Sequence, residues 1–212
     1  MNETKKIYGV ITGDIVKSRK IPIEKYDILL YTLETCIKFL TDKFNGRYDI
    51  FSGDSFQILF QDPIKAIESS LIIRLTLRTT EPFFDCRQSI GIGAIDTLRE
   101  SVKKSTGEVF ILSGENVNSL KNENIKIFSD NEFFNSRVDL LTSFLDFLVG
   151  NITKLQAEAL LSYLLAEEKN HANIAKMMRR ERTSVTKLLN SSHYQLVSKY
   201  LSEVEYFIKE YF

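Results

Sequence analysis

Two sequence patterns that end in Gly-Asp constrain the fold more than any other feature of the chain. The first pattern is a largely apolar segment, residues 8–12, followed by Gly13 and Asp14. In the second, residues 50–60, Asp54 lies between two apolar runs. The second pattern is typical of a β-hairpin with a carboxylate at its turn. If the first run is a strand beside that hairpin, the two carboxylates meet at one edge of a sheet. Such a pair repels unless a cation lies between its members, and Mg²⁺ prefers hard oxygen ligands.

The segments around these patterns alternate in type. An apolar stripe of period three to four predicts a helix over residues 23–44, and Asp62 followed by proline predicts the start of a second helix. Residues 88–95 then read as a strand. The order strand, helix, hairpin, helix, strand is that of the split βαβ, ferredoxin-like arrangement. We therefore predict an α+β fold, continued by a strand at 108–112, a short helix at 115–121 and a strand at 125–128.

Composition places the chain among ordinary soluble proteins. It has 212 residues, of which 43% are hydrophobic and 26% charged, and its formal net charge is zero. Its beginning has no apolar signal segment, and no apolar run reaches the ~18–20 residues that span a bilayer. Cys36 and Cys86 lie in apolar surroundings without metal-binding spacing, which indicates buried, reduced thiols. We expect a cytoplasmic protein that does not contact a membrane.

The last third of the chain is predicted to be helical. A connecting helix is expected over residues 136–149, and Thr153 with Gln156 forms the capping box of a further helix. Residues 171–190 have the spacing of a helix-turn-helix, with Ala175 where two helices cross closely. We divide the chain into a palm-like domain (1–135), a linker helix (136–150) and an all-α helix-turn-helix domain (151–212).

Positive charge is concentrated in the predicted helix-turn-helix. Residues 171–190 contain five basic residues and one acidic residue, which is the local distribution that a small nucleic-acid reader needs. A small helical bundle used for dimer contacts has similar spacing and stays an alternative. The final helix, 196–212, either packs on this module or forms a dimer seam, and we expect a homodimer. The candidate DNA-binding residues are Arg179, Arg180, Arg182, Ser184, Lys187 and Asn190.

Several of these motifs resemble a known family. The segment Gly-Asp-Ile-Val-Lys-Ser-Arg at residues 13–19, Gly-Asp-Ser-Phe-Gln at 53–57 and Gly-Ile-Gly at 91–93 are similar to the SatD family of small bacterial proteins, whose members also carry a C-terminal helix-turn-helix. Up to about residue 130, the chain also resembles class III nucleotide cyclases in the order of four motifs, Gly-Asp-Ile-Val at 13–16, Gly-Asp at 53–54, Ile-Gly-Ile-Gly at 90–93 and Gly-Glu-Asn-Val-Asn at 114–118. The resemblance implies a cyclase-like palm domain followed by a DNA-binding module.

The cyclase resemblance also implies a site. In such enzymes the positions of Asp14 and Asp54 hold two metal ions together with the backbone carbonyl at Ile15, and the Asn118 position orients the ribose. Lys121 lies one position short of the cyclase arginine. The basic loop formed by Lys17, Ser18 and Arg19 is either a phosphate cradle or a solvated turn, and a lone Gly-Asp also caps turns in structural roles. The implied ligands are Mg²⁺ and a nucleotide.

The chain departs from the cyclase pattern where catalysis would need it. Asn122 replaces the arginine that stabilises the transition state, and the purine-selecting positions fall near Ile50 and Ile111. We therefore predict a nucleotide- and metal-binding transcriptional regulator. The alternative is a metal-dependent nucleotidyl-transfer enzyme whose C-terminal bundle mediates dimerisation. A palm that serves only as a dimerisation platform is the third interpretation.

Overall fold

The computed structural model describes residues 6–51, 53–117, 119–120 and 122–212. In these ranges the backbone forms five β-strands and eight α-helices. The strands are β1 (Ile7–Ile15), β2 (Arg47–Phe51), β3 (Ser55–Phe60), β4 (Cys86–Ala94) and β5 (Ile125–Phe128); the helices are α1 (Ile23–Phe44), α2 (Pro63–Arg78), α3 (Glu108–Val117), α4 (Glu132–Asn151), α5 (Lys154–Leu165), α6 (His171–Met178), α7 (Arg182–Ser191) and α8 (Tyr194–Tyr211).

The strands form one mixed sheet in the order β2-β3-β1-β4-β5. Strand β1 lies in the middle and pairs antiparallel with both β3 and β4, whereas β5 runs parallel to β4. The first four strands and their two helices therefore have the split βαβ order, which confirms the predicted α+β class.

Local signals explain where the first two helices begin and end. Helix α1 has the predicted bounds, and Asn45 ends it in a left-handed conformation (φ 52°). The Asp62 carboxylate caps α2 by accepting a hydrogen bond from the Ile64 backbone N–H (3.2 Å). The two helices pack against each other and against the sheet. They cover the sheet face that carries Ile11 and Ile15.

Helix α3 corrects one prediction. Residues 108–112 are the first half of a helix, where we predicted a strand. The apolar run satisfies both patterns, but burial at Val109, Ser113 and Val117 follows the four-residue spacing of a helix. This helix covers the opposite sheet face, where Val109 packs on Val10. A Cβ at Gly91 would lie 2.4 Å from the Val109 carbonyl oxygen, so the close approach requires glycine there.

The C-terminal helices pack on the sheet-bearing part of the molecule. Helix α4 contacts β5 and α8, and both α5 and α8 contact α2. A single cluster of buried apolar side chains extends from the sheet into these helices. The predicted capping box of Thr153 and Gln156 is present at the start of α5. The domain boundaries of the sequence analysis stay a prediction.

A buried ionic network joins α2, β4 and α4. The Arg74 side chain, only 1% exposed, donates to the carboxylates of Asp85 and Asp146, and Arg78 also donates to Asp85. The Asn124 backbone N–H donates to the second Asp146 oxygen (2.9 Å). The sequence does not identify Arg74 and Arg78 as partners of Asp85. Its partners lie seven and eleven residues earlier, on α2.

Two further expectations can be compared with the structure. Cys36 and Cys86 are free and buried, as predicted. None of the helices in the described ranges combines the length and the apolar character that a bilayer-spanning segment requires.

Candidate functional site

The two Gly-Asp patterns meet at one edge of the sheet. Asp14 is the register partner of Ser55 on β3, and the next residue, Ile15, donates its backbone N–H to the Asp54 carbonyl (3.1 Å). The hairpin turn is possible because Gly53 adopts a positive φ of 77°, which few other residues tolerate. The expectation that strand and hairpin bring these residues together is therefore met by the backbone.

Asp14 forms an ion pair that the sequence did not reveal. Arg87 lies opposite it on β4 and donates from Nε to Oδ1 (2.9 Å) and from Nη2 to Oδ2 (2.6 Å). The hydrogen bonds that Arg87 donates to the Asp14 carboxylate raise the pKa of Arg87, which stays protonated. Both carboxylate oxygens of Asp14 thus have a cationic partner. The signal for this pair is the strand register, which is known only once the sheet is formed.

Asp54 lies close to helix α1. Burial, followed by the negative charge of Asp54, raises the pKa of the Tyr26 hydroxyl. The same hydroxyl would lie 3.1 Å from a Cβ at Gly53, so Tyr26 covers the turn. Helix α1 therefore positions the hairpin turn that carries the second carboxylate.

A cavity of about 690 Å³ opens beside Asp14. Its volume is within the range of small-molecule sites. The floor includes a buried hydrogen-bond chain, in which Gln57 donates to Thr12 (3.1 Å) and Thr12 donates to Ser113 (3.0 Å). The lining residues come from β1, the β2–β3 hairpin, the 96–107 segment and α3: Thr12, Gly13, Asp14, Phe51, Ser55, Gln57, Asp96, Lys103, Ser105, Thr106, Gly107, Phe110, Ile111, Gly114, Glu115 and Val117.

The donor atoms at this edge suit Mg²⁺ only with additional ligands. Asp14 and Asp54 supply carboxylate oxygens, while Ile15, whose side chain is buried in the core, has only its backbone carbonyl to offer. Among the described residues, no group of three or more His, Cys, Asp or Glu side chains could hold a metal ion. Protein-bound Mg²⁺ commonly uses one or two carboxylates and completes its octahedron with water and substrate phosphates. The residues fit such a phosphate-assisted cation site.

The predicted nucleotide-binding residues fall into two groups. Lys17, Ser18 and Arg19 follow β1 directly, with Lys17 in a left-handed turn and the side chains of Lys17 and Arg19 exposed. They lie beyond Asp14 at the same end of β1, but none of them is in the described lining of the cavity. Asn118 and Lys121 lie outside the described residues.

The six predicted DNA-binding residues lie in the turn between α6 and α7 and on α7 itself. Arg179 and Arg180 belong to the three-residue turn between α6 and α7, and all six side chains are exposed. Arg179 adopts a left-handed conformation (φ 51°) that favours glycine. Ile174, Val185 and Leu189 are buried between the helices. The arrangement leaves the outer face of α7 exposed and positively charged.

Comparison with known proteins gives matches only among solved structures. No family model matches the chain, and no curated protein matches it. A bacterial light-regulated adenylyl cyclase matches 59% of this chain with 18% identity, 77% of its own length and a TM-score of 0.43. The guanylyl cyclase Cya2 matches 60% of this chain and 77% of its own length, with 19% identity and a TM-score of 0.42. The adenylyl cyclase CyaB from P. aeruginosa matches 58% of this chain and 77% of its own length, with 16% identity and a TM-score of 0.44. At this degree of similarity, the activity of this chain must be argued from its own residues.

Proposed function

We propose that the protein is a cytoplasmic, nucleotide- and metal-binding transcriptional regulator, in keeping with its SatD-like motifs. Residues 1–135 would bind the nucleotide, 136–150 would link the two parts, and 151–212 would bind DNA through a helix-turn-helix. The observation that carries the nucleotide site is the backbone contact between the strand end at Ile15 and the hairpin turn at Asp54, next to a cavity of ligand size that Asp14 lines.

Each group at the site has a distinct proposed role. Asp14, Asp54 and the Ile15 carbonyl would hold Mg²⁺, and the ion would neutralise the phosphate charge of the nucleotide. Lys17, Ser18 and Arg19, at the end of β1, would contact the same phosphates. The polar floor formed by Thr12 and Gln57 would hydrogen-bond the sugar or the base. Asn118 and Lys121 keep the nucleotide-binding roles that the cyclase resemblance implies.

A thermal-shift screen of nucleoside triphosphates with and without Mg²⁺ tests this site. A ligand present at 100 times its dissociation constant stabilises the fold by about 2.7 kcal/mol, which shifts the unfolding temperature measurably. We expect a Mg²⁺-dependent shift with at least one triphosphate, lost in Asp54→Asn. Asp42→Asn, an exposed position on α1, is the matched control. A screen without any Mg²⁺-dependent shift, or an equal shift in Asp54→Asn, would refute the proposal.

Support for DNA binding comes from the exposed side chains of the α6–α7 pair. Arg179, Arg180, Arg182 and Lys187 can displace counterions from phosphates, while Ser184 and Asn190 suit base edges. Because α5 and α8 pack against α2, the module has to be tested within the full chain. Fluorescence anisotropy with a random-sequence duplex at low salt is the first measurement. A full chain that stays folded and binds no duplex at low salt would overturn the DNA-binding half of the proposal.

Nucleotidyl transfer is the second candidate, favoured by the Asp14 carboxylate that lines the cavity. We expect formation of cyclic nucleotides from ATP or GTP to be weak or absent, because Asn122 replaces the cyclase arginine and apolar Ile111 lines the cavity at a purine-selecting position. Chromatographic assay of cyclic products with Mg²⁺ checks this expectation. Robust turnover that disappears in Asp54→Asn would establish the enzyme instead of the regulator.

A further inference from the structure

Helix α4 exposes a continuous row of large apolar side chains. Phe133, Leu140, Phe144 and Phe147 are 76%, 63%, 64% and 71% exposed. Their spacing of seven, four and three residues places them on one face of the helix. We call these four residues the α4 stripe. The opposite face of α4 packs on β5 and α8 and includes the buried residue Val138.

A groove of about 640 Å³ lies beside the α4 stripe. We call it the α4–α8 groove, because α4 and α8 supply most of its walls. Its apolar surface includes Leu145 and Val197, while Leu196 at its border is 60% exposed.

The exposed apolar area approaches what a dimer interface buries. A large aromatic side chain contributes roughly 150–250 Å² when buried. At the observed exposures, the α4 stripe with Leu141 and Leu196 leaves on the order of 600 Å² of apolar surface in contact with water. The largest apolar patch of a monomeric protein is about 300–600 Å². A standard interface buries about 800 Å² on each partner.

The charges at the groove favour a copy of the same chain as the partner. Lys199 and Glu203 line it one helical turn apart on α8, so the local charge sums to zero. A two-fold axis perpendicular to α8 would make the two α8 helices antiparallel, and an axis level with Leu201 would bring Lys199 of each copy close to Glu203 of the other. A polyanion or a strongly charged peptide would gain nothing from such a neutral border.

We propose that a second copy of this chain covers the α4–α8 groove in a two-fold symmetric dimer. In such a dimer the same patch serves both subunits, so each must offer both a projection and a recess. Phe144 and Phe147 project beside the groove into which the equivalent side chains of the partner would insert. This dimer surface is distant in sequence from Asp14 and Asp54 and does not depend on nucleotide binding.

Light scattering coupled to size exclusion tests the dimer on the full chain. We expect the wild type to have twice the 24.5 kDa mass of one chain. Phe144→Asp should give the single-chain mass with an unchanged circular dichroism spectrum, because the side chain is exposed. Phe83→Asp, at an equally exposed phenylalanine outside the patch, should stay dimeric. A monomeric wild type, or a dimeric Phe144→Asp, would overturn the proposal.

A charge exchange tests the pairing across the axis. Lys199→Glu alone places two acidic pairs across the axis and should raise the dimer dissociation constant at least fivefold. Glu203→Lys alone places two basic pairs across the axis and should raise the dimer dissociation constant to a similar extent. The double variant Lys199→Glu/Glu203→Lys restores opposite charges and should return to the wild-type dissociation constant. A double variant that is as weak as the single variants would exclude the antiparallel α8 arrangement.

Discussion

The ion pair with Arg87 compensates the negative charge of Asp14 at the candidate site. With Asp14 24% and Arg87 34% exposed, the pair is accessible, and two charge-assisted hydrogen bonds fix its geometry. A guanidinium in this position neutralises the carboxylate that a cation would otherwise bind. A metal ion bound as proposed by Asp14 would have to compete with Arg87 for the carboxylate.

Arg87→Gln should strengthen Mg²⁺ binding in the absence of nucleotide. A solvent-accessible pair of this kind contributes up to about 1 kcal/mol, so removing the competitor should tighten binding about fivefold. Isothermal titration with MgCl₂ measures the change, and Arg137→Gln, an exposed arginine on α4, is the control. Unchanged or weaker Mg²⁺ binding in Arg87→Gln would show that the pair does not compete with the cation.

The two cysteines should be unreactive in the folded protein. Burial raises the pKa of the Cys36 thiol to about 11 and raises that of Cys86 well above its ordinary value of 9.0. Because the thiolate is the reactive form, a disulfide reagent at pH 8 should modify neither thiol until the protein unfolds. The raised pKa values also make the fold lose stability as the pH rises above about 9. Absorbance assay of thiol modification with and without denaturant checks this, and rapid modification of the native protein would contradict it.

At the scale of helices and strands, the sequence predicted only those features that depend on residues close together in the chain. The end of α1 at Asn45, the cap at Asp62 and the capping box of α5 depend on neighbouring residues, and sequence predicted them. The conformation of residues 108–112 depended on packing over Gly91, and the partners of Asp85 and Asp14 depended on tertiary contacts. The sequence predicted that the two Gly-Asp patterns lie close together, but it did not identify Arg87 as a neighbour of Asp14.

The buried network connects α4 to the rest of the fold. Asp146→Ala should lower the free energy of unfolding by about 3–5 kcal/mol, because it leaves Arg74 with a single carboxylate partner in a site almost without water. Urea denaturation measures the change. Glu205→Ala removes an exposed pair with Lys209 and should cost less than about 0.5 kcal/mol. Equal effects of the two changes would contradict a structural role for the network.

In the whole molecule, α2 lies between the two proposed binding regions. It packs against β1, the strand that carries Asp14, and also against α5 and α8. The proposed DNA-binding face on α7 therefore belongs to the same packed structure as the nucleotide site. Net charge gives no hint of this face, because the chain is neutral as a whole. DNA binding is supported by four cationic side chains that lie within nine residues. Their contribution can be measured as the salt dependence of duplex binding.

The salt dependence of duplex binding provides the test at this scale. Each phosphate contact contributes a slope of about −0.9 to log K against log salt concentration, so Arg182→Ala/Lys187→Ala should reduce the slope by about 1.8 per chain. Lys38→Ala/Lys43→Ala removes two exposed lysines on α1 and should leave the slope unchanged. If the dimer presents two α7 helices to two half-sites, Phe144→Asp should weaken binding while retaining a single chain's slope. Equal slopes for the wild type and Arg182→Ala/Lys187→Ala would exclude α7 as the DNA-contacting helix, because two lost phosphate contacts cannot leave counterion release unchanged.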